Sequence, residues 1–229
     1  MENEHEATSP VQATIVEAPV EVENRLEELG WTTTELLEVV HAMVAGRNSC
    51  TANDPISAPG WMAWKDGTRR TRELGTLKGW RRIDIDQVPW TLDVNSGRKF
   101  TVVNSNDAAG IRGRDPQNRS KKGTGTERTV FANADQLNLA FPERPTDDSD
   151  DVLADRAFKS VSWYLFVYAE GDVIRAELSC PVGISSGFFT EFSERIFLNT
   201  DQFASPDNDL LTRDTYTDFD IPVERLPAT

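Results

Sequence analysis

The chain contains very few of the residues that carry soft-metal and histidine chemistry. Its 229 residues include two cysteines, Cys50 and Cys180, and two histidines, His5 and His41. A structural zinc site usually takes four such ligands at close spacing, so we assign neither a zinc site nor any other bound metal. A disulfide between the two cysteines is not expected in a reducing compartment. With two histidines, the sequence offers almost no candidates for histidine-dependent catalysis.

Long hydrophobic runs are also missing. No apolar segment approaches the roughly 20 residues that a helix needs to cross a bilayer, so no membrane partner is expected. The first residues include Glu2, Glu4 and Glu6, whereas a secretory signal begins with basic residues. These absences predict a cytoplasmic protein. Hydrophobic residues make up 38% of the chain and charged residues 27%, which is an ordinary balance for a folded domain.

Acidic charge is in excess, and the basic charge is concentrated in one stretch. The chain has 38 acidic and 24 basic residues, a formal net charge of −14 at pH 7. Residues 61–130 carry 15 of the 24 basic residues against 8 acidic ones, whereas residues 1–60 and 131–229 are both strongly acidic. Charge segregated in this way predicts one face that meets an anion. That anion is a phosphate backbone, a nucleotide or the protein's own acidic segments.

Helical patterns come first along the chain. Apolar residues recur at helical spacing after the candidate N-caps Thr32–Thr34. Ser57 and Pro59 are typical of the start of a second helix, on which Trp61 and Trp64 lie three residues apart. The sequence therefore predicts two helices before the first strand.

Strand patterns follow. Val88–Val94 and Arg98–Val103 flank a short turn that ends at Gly97, which is a good hairpin signal. Val161–Tyr168 is almost wholly apolar and predicts a strand buried on both faces. Val173–Val182 alternates apolar and polar residues, as a half-exposed partner strand would. We expect a mixed or mainly antiparallel sheet.

A segment rich in phenylalanine follows the last predicted strand. Its wide apolar face predicts a helix from Ser185 or Ser186 to Leu198, packed on the sheet. The fold class is therefore α+β, with N-terminal helices, then the sheet, then this C-terminal helix. The same place contains a GxSxG motif with Ser185 as candidate nucleophile, but no histidine follows it in the chain. A strand-to-helix turn with a serine N-cap explains the motif better.

Three acidic segments set the predicted domain limits. Residues 1–20 lack periodicity and contain no Lys or Arg, which predicts a disordered acidic arm. Residues 21–204 form the predicted α+β domain, and the acidic stretch 141–151 marks its candidate subdomain boundary. Residues 205–229 are predicted to be an acidic tail.

Two basic elements make up the candidate site. In Gly110–Arg128, glycines allow backbone N–H groups to approach oxygen atoms while basic side chains supply charge, a composition that suits phosphate. It lacks the spacing of a P-loop, so no cofactor is assigned. The helix at Trp61 and the residues after it interleave tryptophan with arginine, which suits stacking on bases. The candidate anion-binding residues are Arg69, Arg70, Arg72, Arg81, Arg82, Arg112, Arg114, Arg119, Lys121 and Lys122.

Each element also has a plainer explanation. Gly110–Arg128 is equally typical of a solvated flexible loop that neutralises the protein's own carboxylates. Tryptophans three residues apart on a helix are more often anchors in the core. Both interpretations stay open at the level of sequence.

The sequence predicts a protein that binds nucleic acid through its phosphate backbone, with no catalysis assigned. Two alternatives remain. The first is a protein–protein or oligomerising module, in which the basic patch meets an acidic partner or another subunit. The second is a metal-dependent phosphoesterase or nuclease, for which Asp172 and Glu177 are the candidate metal ligands.

Overall fold

The computed structural model describes residues 12–136 and 149–204. These residues form five α-helices and seven β-strands. In chain order the elements are β1 Thr14–Val16, α1 Pro19–Glu28, α2 Thr33–Asn48, α3 Ala58–Leu77, β2 Arg81–Ile85, β3 Val88–Asp93, β4 Arg98–Asn104, α4 Thr124–Gln136, α5 Asp150–Phe158, β5 Val161–Glu170, β6 Val173–Ser185 and β7 Phe188–Leu198, followed by a 3₁₀ turn at Asp201–Ala204.

The strands form one mixed sheet in the order β1-β7-β6-β5-β4-β3-β2. Strand β1 is parallel to β7 and β4 is parallel to β5, whereas the other neighbours are antiparallel. The α+β class and the mixed sheet are therefore confirmed, as are the β3–β4 and β5–β6 hairpins. Within the described part of the chain, no helix combines the length and the hydropathy needed to span a membrane.

Helices α1, α2 and α3 cover one face of the sheet. The start of α2 is fixed by a capping box, in which the Thr32 hydroxyl accepts from the Glu35 amide and the Glu35 carboxylate accepts from the Thr32 amide. Trp31 is fully buried beneath these helices, where it meets Trp80 and Phe100 edge to face at 4.9 and 5.5 Å. Aromatic contacts of this geometry anchor the helical layer on the sheet.

The opposite face is covered by α4 and by the connecting loop, residues 105–123. Its core is a cluster of aromatic rings, with Phe166 in edge-to-face contact with Phe189 and Phe192 at 5.3 and 5.6 Å. Val130 brings α4 into this cluster, and Ala109 brings in the connecting loop. The loop is thus packed on the sheet by apolar contacts and is not a solvated flexible loop.

The predicted phenylalanine-rich helix is wrong, because Phe188–Leu198 is strand β7. Ser186 and Gly187 have φ of +53° and +81°, as the central residues of a two-residue type I′ hairpin turn require. Irregular pairing of β6 with β7 between Cys180 and Ile184 shifts the side-chain alternation, so the buried phenylalanines acquire a helix-like spacing. Ser185 is accordingly the last residue of a strand and not a nucleophile at a strand-to-helix elbow.

The predicted disordered arm also differs from the structure at its carboxyl end. Thr14–Val16 pairs in parallel with the strand β7, and Pro19 begins α1. A strand of three residues is too short to show periodicity, so only its partner strand reveals it. Residues 1–11, most of the predicted boundary at 141–151 and the predicted tail at 205–229 lie outside the described residues.

A buried ion pair between the neighbouring strands β6 and β7 joins the connecting loop to the sheet. Glu177 on β6 and Arg195 on β7 are 0% and 1% exposed, and the guanidinium donates two hydrogen bonds to the carboxylate, of 2.9 and 2.7 Å. The remaining groups bind the loop. Arg195 Nη1 donates to the Arg114 carbonyl at 2.9 Å, and the Gly110 amide donates to Glu177 Oε2 at 2.6 Å. The pair therefore fixes the position of the connecting loop on the sheet.

A second buried cation has no carboxylate beside it in the part of the chain that the structure describes. Lys99 on β4 is fully buried, its ammonium donates to the Ala157 carbonyl at 2.6 Å, and it lies 5.0 Å from the Trp90 ring centroid. Burial lowers the pKa of Lys99 to about 7. The folded protein therefore carries an amine that loses its proton near neutral pH.

We expect Glu177→Gln to lower the free energy of unfolding by about 3 kcal/mol, because the buried Arg195 cation then keeps only the exposed carboxylate of Asp115, at 3.3 Å, as a counter-charge. Urea denaturation measures this loss. The matched control is Asp155→Asn, which breaks the exposed 2.7 Å pair with Lys159 and costs less than about 0.5 kcal/mol. Equal losses for the two variants would contradict the assigned role of the buried pair.

We expect Lys99→Met to be more stable than the wild type below pH 7, by about 2 kcal/mol, because no charge is then buried. The pKa of Lys99 is about 7 in the folded protein against an ordinary value of 10.5. The unfolded wild type therefore binds more protons between these pH values, and the free energy of unfolding rises with pH across that window. Denaturation from pH 6 to 10 should show the advantage of Lys99→Met shrinking. A constant difference would be incompatible with a titrating Lys99.

Candidate functional site

The sheet opens where β3 diverges from β4. Pairing between these strands stops at Thr91 with Phe100, although β4 continues to Asn104 alongside β5. Among the described residues, no strand pairs with the other edge of residues 101–103. Two adjoining cavities occupy this opening, and both are lined by Trp64 and Lys122.

The larger cavity, which we call the α3 cleft, has a volume of about 500 Å³. The first turns of α3 form one wall through Gly60, Trp61 and Trp64, and the opposite wall carries Arg119 and Lys122. The amino end of a helix carries a positive partial charge, which adds to that of the side chains. Asn104 closes the floor, because its side-chain amide donates to the Gly60 carbonyl at 2.8 Å.

The smaller cavity, which we call the turn chamber, has a volume of about 280 Å³. It lies beside the two-residue turn between β2 and β3, formed by Asp86 and Gln87. Thr101 of β4 and Thr126 of α4 add hydroxyl groups to a lining that is otherwise partly apolar. The chamber is thus a small site with a few convergent polar groups, which is typical of ligand pockets.

The connecting loop places Lys122 between the cavities through backbone and side-chain hydrogen bonds. The Lys122 amide donates to the Gly187 carbonyl at 3.0 Å, in the β6–β7 turn. The buried Asn118 side chain donates to the same carbonyl at 2.8 Å and accepts from the Phe189 amide at 3.2 Å. The Arg119 amide donates to the Asn104 carbonyl at 3.0 Å. Residues 118–122 are therefore held on both sides.

Lys122 is a partly buried cation that no carboxylate among the described residues neutralises. Its pKa is lowered to about 8 because burial penalises the charged form, so it is still mainly protonated at neutral pH. No carboxylate of the described residues lies within ion-pair distance of Lys122, Lys121 or Arg47, all three of which line the cavities. A desolvated ammonium without a counter-ion is a favourable site for an anionic ligand.

Arg119 is positioned more rigidly than the lysines. Its guanidinium donates to the Ser105 carbonyl at 3.1 Å and to Glu170 at 2.9 Å, and it lies 5.6 Å from the Tyr168 ring centroid. These contacts leave part of the group exposed on the wall of the α3 cleft. Trp61, which lines the same cleft, is 56% exposed, and such exposure is unusual for a tryptophan.

The turn beside the chamber is strained and clamped. Asp86 and Gln87 have φ of +51° and +64°, although neither is a glycine, which costs of order 1 kcal/mol each. Gly125 packs directly against Asp86, so any side chain at that position would overlap with the turn. Arg128 of the same helix forms a 2.6 Å ion pair with the Asp86 carboxylate. Helix α4 therefore fixes where this carboxylate lies.

Of the ten predicted site residues, Arg119, Lys121 and Lys122 line the two cavities. Arg112 and Arg114 lie on the connecting loop, paired with Glu17 and Asp107. The other five lie on α3 and β2: Arg69 pairs with Asp66, Arg70 with Glu38 and Glu73, and Arg72 with Asp84, while Arg81 and Arg82 lie on β2. Four of these, Arg69, Arg70, Arg72 and Arg82, line a separate open groove. The structure thus distributes these basic residues over separate surfaces, and the protein's own carboxylates neutralise many of them.

Sequence patterns did not identify three residues of the site. Arg47 lies at the end of α2, and no pattern around it indicates a binding role. Asp86 and Gln87 separate two short strand-like segments, so the sequence contained a detectable signal for a two-residue hairpin loop. Their contact with α4 was not detectable, because it joins segments about 40 residues apart.

The acidic residues considered as metal ligands serve other purposes. Both oxygens of Glu177 accept hydrogen bonds from Arg195, and Ser179 donates to one of them at 2.7 Å. Asp172 lies in the turn between β5 and β6. Over residues 12–136 and 149–204, no cluster of three His, Cys, Asp or Glu side chains is arranged to hold a metal ion.

The two cavities therefore combine cations that no described carboxylate pairs with, an exposed indole and one carboxylate at an opening in the sheet. Their chemistry has to be inferred from this geometry. The chain matches no protein-family model, no curated protein and no solved structure.

Proposed function

We propose that the protein binds single-stranded nucleic acid through its phosphate backbone, with a phosphate at Lys122 and a base against Trp61. The observation that carries this proposal is the ammonium of Lys122 at the junction of the two cavities, which has no carboxylate partner within residues 12–136 and 149–204. Arg47 and Arg119 line the same cleft and extend the positive potential around it. Charged donors of this kind form the strongest hydrogen bonds to phosphate oxygens.

An aromatic surface beside the cations favours a nucleic acid over a simple anion. Trp61 projects from the first turns of α3 at the wall of the α3 cleft, and Lys65 lies 5.8 Å from its ring centroid. Base stacking on an exposed aromatic side chain is worth about 1–3 kcal/mol, and it tolerates any base. Phosphate contact and stacking are thus available within one cleft.

The charge distribution favours a short single-stranded segment over a duplex. Most arginines of α3 and of the connecting loop are paired with the protein's own carboxylates. The net charge of −14 repels a long polyanion, whereas a cleft of about 500 Å³ accepts one or two nucleotides. The ligand is therefore bound locally and not along an extended basic face.

We expect Lys122→Gln to weaken the binding of a fluorescein-labelled uridine hexamer at least tenfold, because the phosphate loses its charged donor. Fluorescence anisotropy at several salt concentrations measures this. The slope of log K against log salt should fall by about 0.7, the value for one phosphate contact on a single strand. The matched control is Arg82→Gln, which removes the same charge from β2, away from the cleft. Equal weakening by both variants would show attraction by overall charge and no site.

We expect Trp61→Leu to weaken binding of the same hexamer by about 1–2 kcal/mol with little change in the salt slope, since stacking is lost and phosphate contacts remain. The side chain is 56% exposed, so stability should change by less than about 1 kcal/mol. Quenching of tryptophan fluorescence by the unlabelled hexamer provides a second readout. Unaltered affinity of Trp61→Leu would argue against stacking in the α3 cleft.

A further inference from the structure

We infer that the turn chamber holds one base of the bound strand and selects a base that carries both an amino group and a carbonyl group, namely cytosine or guanine. This inference rests on the proposed function and goes beyond it, because stacking and phosphate contact alone do not distinguish bases. The juxtaposition that supports it is a carboxylate and two ammonium groups around one small cavity.

The chamber presents opposite charges to whatever enters it. Asp86 lines it from the β2–β3 turn, while Lys121 and Lys122 line it from the connecting loop. No ion pair joins these lysines to Asp86, whose partner among the described residues is Arg128 at 2.6 Å. The lysine ammonium groups therefore do not neutralise the Asp86 carboxylate, and both kinds of group remain available to a ligand.

Cytosine and guanine match this arrangement. Each carries an amino donor that a carboxylate accepts and a carbonyl oxygen that an ammonium group contacts. Uracil and thymine present carbonyl oxygens in place of the amino group, and adenine has no carbonyl oxygen. The carboxylate of Asp86 has capacity beyond its bond to Arg128, because two ionised oxygens accept about four hydrogen bonds.

The chamber is also placed to receive a base from the α3 cleft. Trp64 and Lys122 line both cavities, so a phosphate at Lys122 lies between a base in the chamber and a neighbouring base at Trp61. Val88, Pro89 and Val102 supply an apolar lining for the ring itself. A small apolar pocket with a few fixed polar groups is what orients a planar ligand.

The position of Asp86 is held too firmly for the carboxylate to turn away. Its backbone is in the left-handed region, Gly125 of α4 packs against it, and Arg128 pairs with it. Discrimination between bases requires an acceptor that does not rearrange, since a mobile group would adapt to either base.

The experiment compares a cytidine hexamer with a uridine hexamer on the full chain, again by anisotropy. We expect the cytidine hexamer to bind about tenfold more tightly to the wild type. Asp86→Asn should reduce this ratio to below about twofold, because the carboxamide both donates and accepts. Asparagine tolerates positive φ well, so the turn should keep its conformation. Asp84→Asn is the matched control: it removes a carboxylate from the same hairpin outside the chamber, where it pairs with Arg72, and should retain the preference.

The outcomes separate this inference from the proposed function. Equal affinity of the wild type for the two hexamers, with Lys122→Gln still weakening both, would overturn base selection and leave backbone binding intact. A preference that survives Asp86→Asn would also overturn it. Failure of the wild type to bind either hexamer would instead reject the proposed function, and base selection with it.

Discussion

The ion pair between Glu177 and Arg195 is the constraint on which the rest of the candidate site depends. It joins the neighbouring strands β6 and β7, where both side chains are withdrawn from water, and a buried charge there is tolerable only with its partner in place. Because the remaining donors and acceptors of the pair bind residues 110–115, the pair fixes a long loop that lacks regular secondary structure. Sheet and loop are therefore one unit.

The site follows from that constraint in two steps. Once residues 110–115 are fixed, Asn118 carries the chain to the β6–β7 turn, and Lys122 enters the opening between β3 and β4. The opening exists because β4 is longer than its pairing with β3, and α3 and α4 close it from either side. A cation that is partly desolvated and has no counter-ion among the described side chains results from this packing, without any local motif.

Sequence patterns identified the elements in which buried and exposed residues follow a regular period. The almost wholly apolar segment Val161–Tyr168 is a buried strand, and the alternation after Gly171 is its antiparallel partner, because periodicity reports burial directly. The same logic failed for β7, where irregular pairing with β6 gave a strand the spacing of a helix. In the candidate site, Lys122 was recognised by its charge, whereas Arg47 and Asp86 were not, since their roles depend on neighbours distant in sequence.

The sequence by itself determined the α+β class, the order of most elements and the concentration of basic charge between residues 61 and 130. Tertiary structure decided which of those charges are free. Arg70 and Arg72 meet carboxylates on α2 and β2, whereas Lys122 meets none in the described ranges, and nothing in the local sequence distinguishes the three. The reason is that the Coulomb interaction depends on distance in space and on local hydration, and both are set by which elements pack together.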